Sequence, residues 1–348
     1  MNKHLYPYKW NLSNGYPKNT NGLKVFGTFI CGGGSTMGYK LAGYEHLGGV
    51  EIDKEIVEVY QENHKPKYLY HEDIRKFNMR TDLPDELYSL DILDGSPPCS
   101  TFSMAGSRED AWGKKKKFRE GQSVQTLDDL VFVYCDTIIK LKPKVFILEN
   151  VKGIIAGNAK FYSKKIVQKM TDAGYVVQVF CLNAASMGVP QKRERVFFIG
   201  YKKELNYKPL KLIFNEPAIN MSFLNSNQEL PKNGKLYSDW LKRKPTDKDY
   251  SDICFREEGK KKSFGRVLLS KNAYAPTIVS GNEYIYHDKF VEASKEDFCH
   301  IGSFPQDYKF KNVEAKYLIG MSVPPVMTAQ IANQIAIQWF NKNGKEEN

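Results

Sequence analysis

The stretch LKVFGTFICGGGSTMGYKLAGY, residues 23–44, constrains the fold more than any other part of the chain. An apolar, strand-like run passes directly into a glycine-rich turn and then into a small-residue helix start. The pattern recurs with LGGVEI as a strand, DKEIVEVYQENH as a helix, YLYHED as a short strand, and LDILD and KVFILE as further strands. Strands this apolar call for helices on both faces of the sheet. The expected fold class is α/β, with a Rossmann-like, mostly parallel sheet.

Two later strand-like runs, AGYVVQVFCLN and ERVFFIG, close the regular pattern, which breaks near Tyr201 into segments rich in Lys, Asn, Pro and aromatics. A domain boundary is expected there. Residues 1–200 then form the first domain, 201–308 a second and smaller one with its most variable part at 201–262, and 309–348 a C-terminal segment. Apolar residues recur at helical spacing from Val326 to Phe340, so that segment is expected to return to the first domain. Between the fourth strand and the helix QTLDDLVFVYCDTIIKLKP lies a polar stretch, STFSMAGSREDAWGKKKKFREGQ, too long for an ordinary connection and a candidate active-site loop.

At 348 residues and 41% hydrophobic, the chain can bury cores of this size without staples. Its six cysteines stand singly, with no CxxC pair, so no metal site of standard spacing is expected. The N-terminus has no apolar signal core and no 18-residue uncharged apolar run occurs. An intracellular, cytoplasmic protein without membrane attachment is therefore expected. Fifty-one Lys plus Arg against forty Asp plus Glu give a net charge of +11. That excess favours a polyanionic partner but does not separate DNA from RNA.

Glu51, at the end of the second strand, stands where two carboxylate oxygens can accept two ribose hydroxyls. Dinucleotide dehydrogenases use the same device, so Glu51 alone leaves a nicotinamide open. The remaining strand ends break the tie. GSPPC at 95–99, LENVKG at 148–153 and VPQKRERVFFIG at 189–200, in that order, closely resemble the motifs of the C5-cytosine DNA methyltransferases of restriction-modification type. The glycine-rich opening at 29–38, EIDKEIVEVY at 51–60, HEDI at 71–74 and LIGMSVPP at 318–325 match as well, leaving uncovered chiefly residues 201–262.

The resemblance implies transfer of a methyl group from S-adenosyl-L-methionine, leaving S-adenosyl-L-homocysteine, to C5 of a cytosine flipped out of a short duplex DNA site. Cytosine C5 is a poor nucleophile until a thiolate adds to C6, and Cys99 is the candidate nucleophile. Pro97 and Pro98 fix φ just before it. Taken without the other motifs, Cys99 reads equally as an inert cysteine in a tight turn. Addition at C6 pushes electrons toward N3, where a carboxylic acid would stabilise them. Glu149 ends the strand KVFIL and is the candidate acid, with Asn150 supporting the turn, although a lone Glu there could equally cap the next segment. Arg193 and Arg195 stand two apart and share a face if extended. The resemblance puts both in the base pocket, with Gln191 beside them, against the alternative of a solvated charge run.

For the methyl donor, the resemblance implies contacts from Phe29, Cys31, Gly32 and Gly33 in the first turn. It adds Glu51 at the ribose, Ile52, Asp73 and Ile74 around the adenine, and Pro98, Leu130 and Val323 as further walls. Two residues depart from the pattern. Cys31 replaces a glycine, which demands room for a side chain and an allowed backbone angle. Met321 replaces an asparagine and cannot donate amide hydrogen bonds. Duplex DNA is the implied partner, with Ser103, Lys114, Lys115, Lys116 and Lys117 in the loop and Lys242 and Arg243 in the variable part as candidate contacts. A cognate endonuclease acting on the same site is a further expected partner. An RNA cytosine methyltransferase and a non-catalytic DNA-binding protein of this fold are the competing readings.

Overall fold

The computed structural model describes residues 4–18, 20–98 and 130–341. The chain divides into two compact units. The larger, unit A, comprises Tyr16–Asn183, Glu194–Phe214 and Thr328–Asn348; unit B comprises Met1–Gly15, Ala184–Arg193 and Asn215–Met327. The composition change read at Tyr201 falls inside unit A, which runs on to Phe214.

Among the described residues of unit A, seven strands form one sheet in the order β3-β2-β1-β4-β5-β7-β6. They are β1 (Lys24–Thr28), β2 (Glu45–Glu51), β3 (Tyr68–His71), β4 (Ile92–Gly95), β5 (Val145–Val151), β6 (Tyr175–Asn183) and β7 (Glu194–Lys202). β1 pairs in parallel with β2 and β4, and β2 with β3 and β4 with β5 likewise. β7 runs antiparallel between β5 and β6. The mostly parallel α/β sheet expected from the repeated strand–helix pattern is present, with one reversed strand.

Helices α1 (Gly34–Leu41), α2 (Lys54–His64), α3 (Ile74–Met79), α4 (Leu130–Leu141) and α5 (Lys160–Asp172) cover the sheet. Asp53 starts α2 as its N-cap, accepting from Glu55 N and Ile56 N, and Asp73 starts α3 by accepting from Arg75 N. The core on one side joins Phe26, Leu93, Phe146 and Leu148 of the strands to Leu130, Tyr134 and Ile138 of α4. Gly95 is required by that packing: a Cβ there would lie 2.4 Å from the Tyr134 ring, whose hydroxyl donates to Leu93 O (2.9 Å) and Ile147 O (2.8 Å). The GSPPC motif thus begins with a glycine because a buried tyrosine occupies the space of a side chain.

Unit B holds a small sheet in the order β8-β11-β10-β9, formed by β8 (Gln228–Glu229), β9 (Arg266–Leu269), β10 (Glu283–Tyr286) and β11 (Val291–Glu292). Its helices are α6 (Gly234–Leu241), α7 (Tyr250–Glu258), α8 (Lys295–Ile301) and α9 (Ala315–Met321). Trp240, Tyr250, Ile253, Leu268, Ile285 and Phe290 form a core of their own. The helical spacing read from Val326 to Phe340 corresponds to α10 (Pro325–Ile335), which continues as a π-helical turn over Ala336–Phe340. Within unit A, Tyr44 Oη donates to Ala332 O (2.8 Å), and Trp339 packs on Tyr201 and Tyr207 while its indole N–H donates to Lys208 O (2.9 Å).

Candidate active site

In unit A the strand order reverses at β1, which has β2 on one side and β4 on the other. Ligands of open α/β sheets bind at such a switch point, outside the carboxyl ends of the strands. Residues singled out in the sequence stand at those ends: Phe29 to Gly33 after β1, Glu51 and Ile52 at the end of β2, Asp73 and Ile74 after β3, Pro98 after β4, and Glu149 near the end of β5.

The turn after β1 is unusually bent. Phe29 (φ +54), Cys31 (φ +45) and Gly33 (φ +69) all have left-handed backbone. The cysteine replacing a glycine therefore adopts the conformation a glycine would provide, at a cost of about 1–2 kcal/mol. Its N–H donates to Glu51 Oε2 (3.0 Å), while Glu51 Oε1 accepts from Ile52 N (2.8 Å) and Asp53 N (3.1 Å). Glu51 thereby ties the ends of β1 and β2 together. Burial raises its carboxyl above the usual range, and the three backbone N–H groups work against that rise.

Beneath the turn, Gly33 has no room for a side chain, since a Cβ would lie 2.2 Å from His64 Nε2. His64 and His46 are buried, and His46 approaches Thr36 Oγ1 (3.4 Å), which also bonds Tyr60 Oη (2.9 Å). Burial, with Lys40 nearby, pushes the His64 imidazole down to about 3 and holds His46 well below its usual value. Both rings are neutral near pH 7.

Around the expected adenine contacts, Ile52 is half-buried and Ile74 buried, while Asp73 spends part of its carboxylate on Arg75 N (2.7 Å) and pairs with the Arg75 guanidinium (3.4 Å). Pro98 is half-buried and Leu130, at the start of α4, is buried.

Glu149 and Arg195 meet because β7 runs antiparallel to β5, which places Val151 opposite Arg195 and Glu149 opposite Phe197. Arg195 Nε lies 3.0 Å from Glu149 Oε1, with both side chains largely buried, and Arg195 Nη1 donates to Glu194 O (2.8 Å). Asn150 Oδ1 accepts from Val151 N (2.9 Å), and its amide nitrogen donates to Pro97 O (3.4 Å). That amide links the end of β5 to Pro97, in the segment after β4.

Asp94, missed in the sequence reading, sits beside this group. It is 7% exposed, accepts from Tyr39 Oη (3.1 Å) on α1 and is also hydrogen-bonded by the Ser35 side chain. Burial first, and then the negative charge of Glu149, raise its carboxyl to about 7, against the lowering effect of Tyr39 and Ser35. The available signal was an acidic residue inside the apolar run that precedes GSPPC.

Arg193, Gln191 and Val323 belong to unit B. Arg193 is 2% exposed and its Nη1 donates to Gly320 O (3.0 Å). Gln191 is buried, its amide donating to Ile301 O (3.3 Å) and accepting from Ile278 N (3.3 Å). Val323 is buried, whereas Met321 is 49% exposed. Lys242 pairs with Glu257 (3.8 Å). The Arg243 guanidinium lies 3.3 Å over the Trp240 ring and donates to His287 O and Trp240 O. Cys99, Ser103, Lys114, Lys115, Lys116 and Lys117 lie outside the described residues. Among the described residues no helix is long and apolar enough to cross a membrane.

Residues 23–336 match the family described as C-5 cytosine-specific DNA methylase. The chain is 29% identical over 350 residues to the Type II methyltransferase M.FnuDI of Fusobacterium nucleatum, covering 90% of this chain and 94% of that one. It is 27% identical over 361 residues to the Type II methyltransferase M.NgoPII of Neisseria gonorrhoeae, covering 93% and 98%. Its fold resembles the crystal structure of a protein encoded within an E. coli prophage, with TM-score 0.65 and 19% identity over 92% of this chain and all of the other. Extent of match and fold agree: the chain belongs to the C-5 cytosine-specific DNA methylase family.

Proposed function

We propose that the protein methylates C5 of a cytosine extruded from a short duplex DNA site, through a covalent bond between Cys99 and C6, in the manner of the Type II methyltransferases it resembles. The observation that carries this reading is the buried Glu149–Arg195 pair near the end of β5, linked through Asn150 to Pro97, two residues before Cys99 in the sequence. When the Cys99 thiolate adds to C6, the ring electrons move to N3, where Glu149 holds a proton and Arg195 fixes the orientation of that carboxyl. C5, made nucleophilic, would take the methyl as the donor's S–C bond breaks, and loss of the C5 proton to water would then restore the C5–C6 double bond and expel the thiolate. Arg193, by family resemblance, contacts the cytosine.

S-adenosylmethionine, when bound, supplies an electrophilic methyl on a sulfonium. The residues present fit it. Glu51 is fixed between two strand ends and retains acceptor capacity for ribose hydroxyls. Phe29, Cys31, Gly32, Gly33, Ile52, Asp73, Ile74, Pro98, Leu130 and Val323 complete the cofactor set, and the chemistry needs no metal. Ser103, Gln191, Lys242, Arg243 and the lysines at 114–117 are proposed on the DNA side. The enzyme would act in the cytoplasm, alongside an endonuclease that cuts the same word.

The test incubates the protein and Cys99→Ala with radiolabelled S-adenosylmethionine, giving each either unmethylated genomic duplex DNA or total tRNA. Labelled 5-methylcytosine in DNA, absent with the variant, is expected. Label in tRNA alone would move the enzyme to RNA, and DNA binding without label would make it a non-catalytic member of the fold.

A further inference from the structure

Asp94 is a buried acid that the chemistry above leaves without a task. It stands near the carboxyl end of β4, at the switch point of the sheet, with Gly27 of β1 opposite it on one side and Ile147 of β5 on the other. The residues before it on β4, Ile92 and Leu93, are apolar and fully buried. An acid in the same strand costs stability that a third apolar residue would not. A buried acid whose ionisation is displaced, at the ligand-binding edge of a sheet, is a candidate functional group.

Its carboxyl joins two parts of the proposed cofactor site within unit A. Tyr39 Oη donates to it (3.1 Å), and the Ser35 side chain bonds it as well. Ser35 follows Gly33 in the first turn of α1, and Pro98 follows Asp94 on the segment after β4. Asp94 thus ties the helix that continues the glycine turn to the strand that leads to Pro98. Glu149, two residues past Ile147, lies on the same face of the sheet. Tyr60 of α2 and Tyr134 of α4 also interact electrostatically with Asp94, and Tyr39 packs on Tyr44 and on the neutral His46 of β2, with ring centres 5.6 and 6.0 Å apart. These groups are hydroxyls, one acid and an uncharged ring. The Arg195 guanidinium is paired with Glu149 (3.0 Å). None of the groups facing Asp94 that are named here gives its ionised form a cation.

We propose that Asp94 is a buried counter-charge for the donor's sulfonium, by which the protein holds S-adenosylmethionine in preference to S-adenosylhomocysteine. The two ligands differ by one positive charge, because the product is a neutral thioether, and a negative charge fixed in a low-dielectric site favours the first. A cation brought into the site in turn favours the ionised carboxylate, so binding of the donor releases a proton. Asp94 gives up its proton at about pH 7, which puts the effect within the working range of a cell. The proposal rests on the S-adenosylmethionine reading above.

The test titrates wild type, Asp94→Asn and Tyr39→Phe, without DNA, with S-adenosylmethionine and with S-adenosylhomocysteine. Calorimetry in buffers of differing ionisation enthalpy gives the affinities and the protons released, and melting temperature is the folding control. The amino groups of the ligands titrate alike in all three proteins, so comparison between proteins isolates Asp94. At about pH 8 wild type is expected to prefer S-adenosylmethionine by about fivefold or more beyond Asp94→Asn, with the gap closing towards about pH 6 as Asp94 takes up its proton. Near pH 7 wild type should release more protons than Asp94→Asn on binding S-adenosylmethionine, and no more on binding S-adenosylhomocysteine. Tyr39→Phe, which removes a hydroxyl that favours the ionised carboxylate, should move the midpoint of the wild-type rise to higher pH. The same ratio of affinities in wild type and Asp94→Asn across the range would overturn the counter-charge. A wild-type protein that binds neither ligand would overturn the cofactor reading and the counter-charge with it, and that failure is visible without any variant.

Discussion

Asp94 carries a measurable penalty at neutral pH. In the unfolded chain its carboxyl ionises near pH 4, whereas in the folded protein burial and Glu149 hold the proton until about pH 7. The folded state therefore binds one more proton between those values, and the stability this gives at low pH is lost as pH rises from about 4 to 7. The difference amounts to up to about 4 kcal/mol. Asp94→Asn, which keeps the hydrogen bonds without the charge, should gain on wild type across that window in urea melts from pH 4 to 8. Parallel pH curves for the two proteins would refute it. The same scale governs Cys31, whose left-handed backbone favours glycine. Cys31→Gly should leave stability within about 1 kcal/mol of wild type. Cys31→Val, β-branched at φ +45, should lower the melting temperature and weaken S-adenosylhomocysteine binding by calorimetry.

At the scale of elements, the register of β5 against β7 brings Glu149 and Arg195 together. Removing one partner of a buried pair strands the other's charge, at roughly 3–5 kcal/mol. Arg195→Ala should therefore lose both stability and methylation, while Glu149→Gln, which removes the charge but keeps an oxygen to accept from Arg195, should lose methylation with a smaller loss of stability. Thermal melts run beside the label assay separate the two. Gly95→Ala makes a sharper test of the motif, since its Cβ would enter the Tyr134 ring. Overpacking of this kind costs about 1–3 kcal/mol, and a neutral result in melts would show that the ring can yield. The strands themselves were legible because each is a short apolar run bounded by turns or caps. The reversal of β7 was not, because ERVFFIG is equally apolar in either direction and its orientation is decided by pairing with β5 and β6. Asp94 was hidden for a related reason: Asp91, three residues earlier, looks the same in sequence yet serves Lys24 N and Lys144 Nζ near the start of β4.

For the molecule as a whole, the two units are interleaved in sequence, which no local period encodes. Residues 1–15 belong with unit B through Trp10 Nε1 to Ser303 O (2.9 Å) and through Leu12 N and Ser13 N to Asp307 (2.7 and 2.9 Å). Charge acts at the same scale. With a net +11, the chain should bind DNA with an affinity that falls linearly in log–log terms as salt rises, by about 0.9 per phosphate neutralised. S-adenosylhomocysteine carries no run of phosphates and is expected to be held by Glu51, backbone groups and apolar walls, so its affinity should change little over the same range. Replacing Lys114, Lys115, Lys116 and Lys117 by alanine should then lower the DNA slope by about 3.6 while leaving S-adenosylhomocysteine binding at wild-type strength. Fluorescence anisotropy between 50 and 200 mM salt, on the order of the range where such slopes are read, measures the first, and calorimetry the second. An unchanged slope would mean that these lysines face solvent, and the DNA affinity would then have to be carried by the cations of unit B, where lysines 260–262 become the next residues to replace.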